Sequence, residues 1–277
     1  LLASKKVDLI IGYKSEGNRR TKPCFVTTPE AADILVFNNY CINNLAVYLT
    51  KKEIKDKGKI GIVAKGCDIR SIIQLINENQ IERDKVFIIA AECDGVVKNF
   101  DCEMNDDNIA PKCKFCQLRS PKVYDQLFGS PTQRKFPEGK LMENILRIEN
   151  MTPEERFAFW NEEFSKCIRC YACRQVCPLC YCEQCIADRS VPDWIESSAT
   201  ERANFSWNIV RAFHLAGRCI GCGECARVCP VDIPLSLLNA KMALTAMNEF
   251  GYTAGKGINE PTLVGNYSNE DKEDFIK

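Results

Sequence analysis

The sequence predicts two unlike parts: an α/β domain over residues 1–150 and an α-helical, cysteine-rich domain over 151–257, followed by a tail over 258–277. Three observations predict this. In the first half short β-branched runs alternate with helical stretches, the pattern of a parallel sheet covered by helices. From Thr152 the strand pattern stops and helical spacing takes over. Most of the 18 cysteines crowd into that second part, although a chain of 277 residues is long enough to bury a core without staples. The charges balance at 37 basic and 37 acidic side chains, which argues against a nucleic-acid binder. No run approaches the 18 apolar residues of a membrane span. The chain opens Leu1-Leu2-Ala3-Ser4-Lys5-Lys6 without Met, so its original start is expected upstream.

Taken in order, Val7-Asp8-Leu9-Ile10-Ile11 reads as a strand ended by Gly12, and Cys24-Phe25-Val26-Thr27-Thr28 as a second closed by Pro29. Residues Asn44 to Ile54 have helical apolar spacing. A buried strand, Lys59 to Ala64, runs into Lys65-Gly66-Cys67-Asp68, and Ile69 to Asn79 then reads as a helix capped by Asp68. Lys85 to Ala90 is the next strand and ends at Glu92-Cys93-Asp94. Cys67 and Cys93 therefore lie just past the carboxyl ends of two strands, where open α/β sheets hold ligands. In the second part Arg202 to Gly217 and Leu235 to Phe250 are predicted helices. The polar, acidic end of the chain is expected to drape on a partner or to be loosely held.

The cysteine spacing carries the chemistry. Cys167-x2-Cys170-x2-Cys173-x3-Cys177-Pro178 recurs 52 residues later as Cys219-x2-Cys222-x2-Cys225-x3-Cys229-Pro230. This ligand set suits 4Fe-4S clusters: three thiolates curl round one side, and the cysteine before Pro serves the other cluster. One set is then Cys167, Cys170, Cys173 and Cys229, and the other Cys177, Cys219, Cys222 and Cys225. Structural zinc is the rival, though its sites usually come as separated CxxC pairs. Cys173-x3-Cys177-x2-Cys180 also spells the motif of radical enzymes that use S-adenosylmethionine, here embedded in the repeat. A lone CxxC, Cys113 and Cys116, joins Cys67 and Cys93 to make four thiolates for a third cluster. Cys180, Cys182 and Cys185 are one ligand short of a fourth, for which Cys41 is the candidate. Cys24, within a strand, and Cys102, in an acidic loop, read as ordinary residues.

With both repeats and the strand-end cysteines in view, the chain resembles the beta-subunit family of deazaflavin-coenzyme hydrogenases and formate dehydrogenases. The motifs that carry the resemblance are Val7 to Gly12, Pro23 to Thr28, Lys65 to Asp68, Ala91-Glu92-Cys93 and Cys113-x2-Cys116. It implies a 4Fe-4S cluster on Cys67, Cys93, Cys113 and Cys116 beside FAD. The second part is similar to the helical dicluster ferredoxin-like domains of heterodisulfide reductases and succinate dehydrogenases. The chain departs from the family in placing this module last and in carrying Gly66 and Asp68 where Pro and Gln are usual.

Flavin contacts are expected at Thr27, Thr28, Asn38, Asn39, Lys65 and Gly66, and no GxGxxG motif adds to them. Arg169, Arg174, Arg218 and Arg227 lie in or against the cluster loops, where positive charge raises reduction potential; solvated surface is their other reading. His214 reads as a packed or solvated helical residue, and Phe157, Phe159, Trp160 and Phe164 as core or subunit interface. The resulting expectation is a cytoplasmic, oxygen-sensitive electron-transfer subunit of a formate dehydrogenase, hydrogenase or heterodisulfide-reductase-type complex in an anaerobe. It would relay electrons along 4Fe-4S clusters, with FAD, rather than catalyse on a substrate. Its expected partners are catalytic and flavin-bearing subunits and ferredoxin. The alternatives are a flavin-free conduit or assembly subunit beside a bifurcating flavoprotein, a zinc-stapled scaffold, and a substrate-reducing enzyme built on the Cys180 group.

Overall fold

The structure is a computed structural model that describes residues 1–114, 116, 118–131, 140–267 and 269. Five strands form one sheet: β1 Leu9–Ser15, β2 Thr21–Val26, β3 Ile60–Ala64, β4 Val86–Ala91 and β5 Gln126–Phe128. Their order is β2-β1-β3-β4-β5, with β1, β3, β4 and β5 parallel and β2 antiparallel to β1. The sequence explains the placing. β3 is buried at every residue, as a central parallel strand must be, whereas β2 alternates buried and exposed positions and tolerates Pro23 because it lies at an edge.

Between β2 and β3 the segment expected to be one helix is a 3-10 turn at Leu45–Tyr48 and a single turn, α1, at Lys52–Lys55. The reason lies in the next helix, α2, Gly66–Asn77. Asp68 is its third residue rather than its cap, and its carboxylate accepts the backbone N–H of both Lys65 and Leu45, each at 2.8 Å. Leu45 is thus pinned to α2. Ile69, Ile72 and Ile73 of α2 enter a common core with Ile11, Ile62 and Ile88 of the sheet.

The first part also carries α3 Pro111–Lys114 and ends on α4 Lys140–Glu149; the second contains α5 Pro153–Ser165, α6 Ala172–Gln175, α7 Glu201–His214, α8 Glu224–Arg227 and α9 Leu235–Phe250. Thr152 opens α5 with a capping box to Glu155, and Pro153 occupies the first turn. Phe164 of α5 packs against Phe205 of α7, with ring centroids 5.7 Å apart. Where it is described, the tail is tied at Asn259, whose N–H donates to Asn77 Oδ1 at 2.9 Å, while Val264 and Tyr267 are exposed. Ala254 to Asn259 lies on α2: Arg70 donates to the Ala254 carbonyl, Gly255 N–H to Gln74, and Asn77 to the Gly257 carbonyl. Thr262 is itself buried. Residues 268 and 270–277 of the expected tail lie outside the described residues.

Candidate cluster-binding sites

The duplicated spacing becomes a duplicated backbone. α6 and α8 are single turns that each carry a central cysteine, Cys173 and Cys225, and each is entered through a left-handed residue, Tyr171 (φ 56°) and Gly223 (φ 67°). Two residues earlier, Arg169 and Gly221 share the same conformation. Such positions turn backbone N–H groups and cysteines inward, and they explain the two-residue gaps.

The cysteines of the two repeats gather in two neighbouring packed groups, with Cys225 lying in the group of Cys167, Cys173 and Cys229. Cys170, which is exposed, adds its field to that at Cys173. Cys177 crosses to the second loop, packing with Cys219 and Cys222. At the sheet's carboxyl edge Cys93 stands among the fields of Cys113 and Cys116, and Cys67 within that of Cys93. Among the described residues no three His, Cys, Asp or Glu side chains converge on a point that would hold a single metal ion; the thiols gather in wider groups.

Buried donors are aimed at these sulfurs. The Gly95 N–H donates to Cys93 Sγ and the Val96 N–H to Cys113 Sγ, both at 3.4 Å. Ile233 N–H donates to Cys229 Sγ at 3.4 Å, and Asn239 Nδ2 to Cys225 Sγ at 3.6 Å. Arg211, on α7 and 4% exposed, reaches the Cys173 carbonyl at 3.0 Å, while its Nε has no acceptor among the described residues. A buried guanidinium donor left over beside Cys173, Cys177, Cys180 and Cys225 fits the acceptor-rich sulfur core of a cluster. Burial pushes the Cys93 and Cys173 thiols up to about 11 and Cys219 up to about 12. Iron must therefore displace protons to bind there.

The fourth group does not assemble. Cys41 is sealed in the sheet core, its Sγ accepting the Asn38 N–H at 3.3 Å. Cys180 turns to Cys177, Cys185 packs near Tyr171 and Trp207, and Cys182 is exposed. Counting thiols pointed to Cys41, and counting is blind to burial.

The residues expected at FAD are likewise not brought together. Lys65 is 2% exposed and its ammonium is spent on Tyr13 Oη, the Asn43 carbonyl at 2.8 Å and Asp68 at 2.9 Å. A Cβ on Gly66 would lie 1.8 Å from the Leu118 carbonyl oxygen, so this glycine serves chain packing. Thr27 and Thr28 follow β2, whose Val26 pairs with Ile10 while Thr21 pairs with Ser15. They lie at the sheet edge opposite Cys67 and Cys93, roughly 15 Å away along the strands. Asn38 accepts the Tyr40 N–H, and Asn39 donates to Gly95 O. A cleft of about 850 Å³ lies elsewhere, between the end of α2, Tyr181, Phe213, His214 and the tail.

The 4Fe-4S dicluster domain family matches residues 163–233. The F420-dependent formate dehydrogenase subunit beta of Methanocaldococcus jannaschii is 24% identical over 95% of this chain and 91% of its own length. F420-dependent formate dehydrogenase 1 subunit beta of Methanococcus maripaludis is 23% identical over 88% and 84%. The chain is a relative of the formate dehydrogenase beta subunits. It is an iron-sulfur electron-transfer subunit with an α/β domain and a dicluster ferredoxin-like domain. No helix among the described residues is long and apolar enough to cross a membrane.

The four arginines of the loops are tied down rather than solvated. Arg169 donates to Ala203 O and Glu196 O, Arg174 pairs with Asp188, Arg218 with Glu78 of α2, and Arg227 with Glu224. Sequence reasoning missed Arg211, Lys112, Glu224 and Asn239. Arg211 left a faint signal, since it falls at helical spacing from Ala203, Asn204, Trp207 and Asn208 on the inner face of α7.

Proposed function

We propose that this chain relays electrons for a formate-oxidising complex through three 4Fe-4S clusters. They would be held by Cys167, Cys170, Cys173 and Cys229, by Cys177, Cys219, Cys222 and Cys225, and by Cys67, Cys93, Cys113 and Cys116. The observation that carries the reading is the packing of Cys67 in one apolar group with Cys177, Cys219 and Cys222, while Cys225 packs with Cys167, Cys173 and Cys229. The three sets therefore follow one another from the exposed Cys170 to the carboxyl edge of the sheet. Bound clusters supply one-electron chemistry; the protein supplies spacing, dryness and charge. Arg211 places a positive charge between the two ferredoxin sets, and Leu75, Leu179, Leu215 and Ile220 exclude water around the second. A catalytic subunit that oxidises formate is the partner, and the cytoplasm the compartment.

A second reading adds FAD at the sheet edge. It is favoured by the resemblance to the F420-dependent formate dehydrogenase beta subunits, whose family implies FAD beside the sheet-edge cluster. Lys65 and Gly66 are taken up by packing and Thr27 and Thr28 lie at the opposite sheet edge, so no step is assigned to FAD. The test is iron, acid-labile sulfide and acid-released flavin per chain on protein purified without oxygen. About twelve irons support three clusters. About eight would overturn the sheet-edge cluster, and one flavin per chain would favour the second reading.

A further inference from the structure

The two ferredoxin loops share a backbone but diverge in side chains where the second meets the α/β domain. Arg169, Tyr171 and Ala172 of the first loop are replaced in register by Gly221, Gly223 and Glu224 in the second. Gly223 clears the space: a Cβ there would lie 3.2 Å from Cβ and 3.3 Å from Cδ of Lys112. Through that gap the Lys112 ammonium reaches Glu224 Oε1 at 2.8 Å and the Ile42 carbonyl at 3.2 Å. Arg227 holds Glu224 through both carboxylate oxygens, at 3.1 and 2.7 Å. The Lys112 and Glu224 side chains are only 11% and 2% exposed. An ion pair so deeply buried is costly unless geometry requires it. Here it joins two ligand sets, because Lys112 precedes Cys113 and Glu224 stands between Cys222 and Cys225.

We propose that Lys112 and Glu224 bias electron flow toward the sheet, Glu224 lowering the reduction potential of a cluster on Cys177, Cys219, Cys222 and Cys225 and Lys112 raising that of a cluster on Cys67, Cys93, Cys113 and Cys116. This rests on the three-cluster reading. Glu224, shared between Lys112 and Arg227, is the negative charge inside the ferredoxin loop, and Lys112, next to Cys113, is the positive charge on the sheet-edge side. Both side chains are largely buried, so each charge is screened less than it would be at the surface. A negative charge opposes the arrival of an electron and a positive charge favours it. The first loop, with Ala172 at the matching position, lacks this negative charge.

The test is an EPR-monitored redox titration of the full chain purified without oxygen, with iron counted first. In Glu224→Gln the midpoint of one ferredoxin cluster moves upward. In Lys112→Met a different midpoint, that of the sheet-edge cluster, moves downward. Each shift changes the partition of an electron between the two sites about tenfold, or about 59 mV for one electron. Glu224→Asp keeps the charge and retains the parental midpoint, which a purely structural role would not require. If Glu224→Gln fails to load iron, Lys112→Met and Glu224→Asp carry the test. Variants that keep their iron with all midpoints unmoved overturn the proposal and leave the three-cluster reading intact. Parental protein without iron overturns that reading itself.

Discussion

At the scale of single residues, position relative to water decides which polar side chains serve chemistry and which serve the fold. Lys65, beside a strand-end cysteine, is sealed among Tyr13, Asn43 and Asp68. Lys65→Met leaves Asp68 charged and buried, so it should destabilise the protein by about 3–5 kcal/mol. Urea unfolding checks this. A stability unchanged within 1 kcal/mol would mean that water reaches Asp68. The cysteines separate by the same rule. Cys41→Ala should leave iron content unchanged, because its thiol faces only protein. Cys177→Ala should remove the iron of the cluster formed by the other loop, about four atoms per chain. Its loss should appear as one missing EPR signal, and a signal missing instead from the Cys167 set would refute the crossed pairing.

Helix α2 shows how an element joins parts that the sequence presents as separate. Its first turn presents Cys67 to the sheet edge, and its side chains at Arg70, Gln74 and Asn77 receive the tail. At its end Glu78 accepts both nitrogens of Arg218 at 2.8 Å and the Tyr181 hydroxyl at 2.7 Å. A carboxylate at a helix carboxyl terminus is unfavourable on its own. Burial opposes its ionisation further, but the hydrogen bonds from Arg218 and Gln74 hold it below its ordinary value of 4.5. A carboxyl depressed by folding adds stability above its unfolded pKa and loses it as pH falls through the folded one. Chemical stability measured from pH 6 down to pH 3 should therefore fall, and Glu78→Gln should flatten part of that fall. Parallel curves for the two proteins would show that Glu78 keeps its ordinary value.

For the whole molecule, the ties Lys112–Glu224, Arg218–Glu78 and Arg70–Ala254 cross between the two parts at separate points. Cooperative unfolding follows. All three tryptophans, Trp160, Trp194 and Trp207, lie in the helical part, so their fluorescence reports that part alone, whereas far-ultraviolet circular dichroism reports both. The two signals should trace one transition in urea. In a Lys112→Met, Glu78→Gln double variant they should separate, and two transitions in the parental chain would show that the parts fold independently.

Local sequence pattern was enough for the α/β-then-helical order, the strands at Ile60 and Val86, and the dicluster ferredoxin-like character of the second part. β-branched runs suit a buried sheet, and the spacing of Cys167 to Cys177 recurs 52 residues later on the same backbone turns. Where Lys65, Thr27 and Cys41 would point was not legible, because strand register and burial depend on partners far along the chain. Only the tertiary structure brought Lys112 to Glu224 and Arg218 to Glu78, pairs separated by more than a hundred residues. Charge pairing across such distances has no period in the sequence, and it exists only once packing has removed the water that would otherwise solvate each side chain.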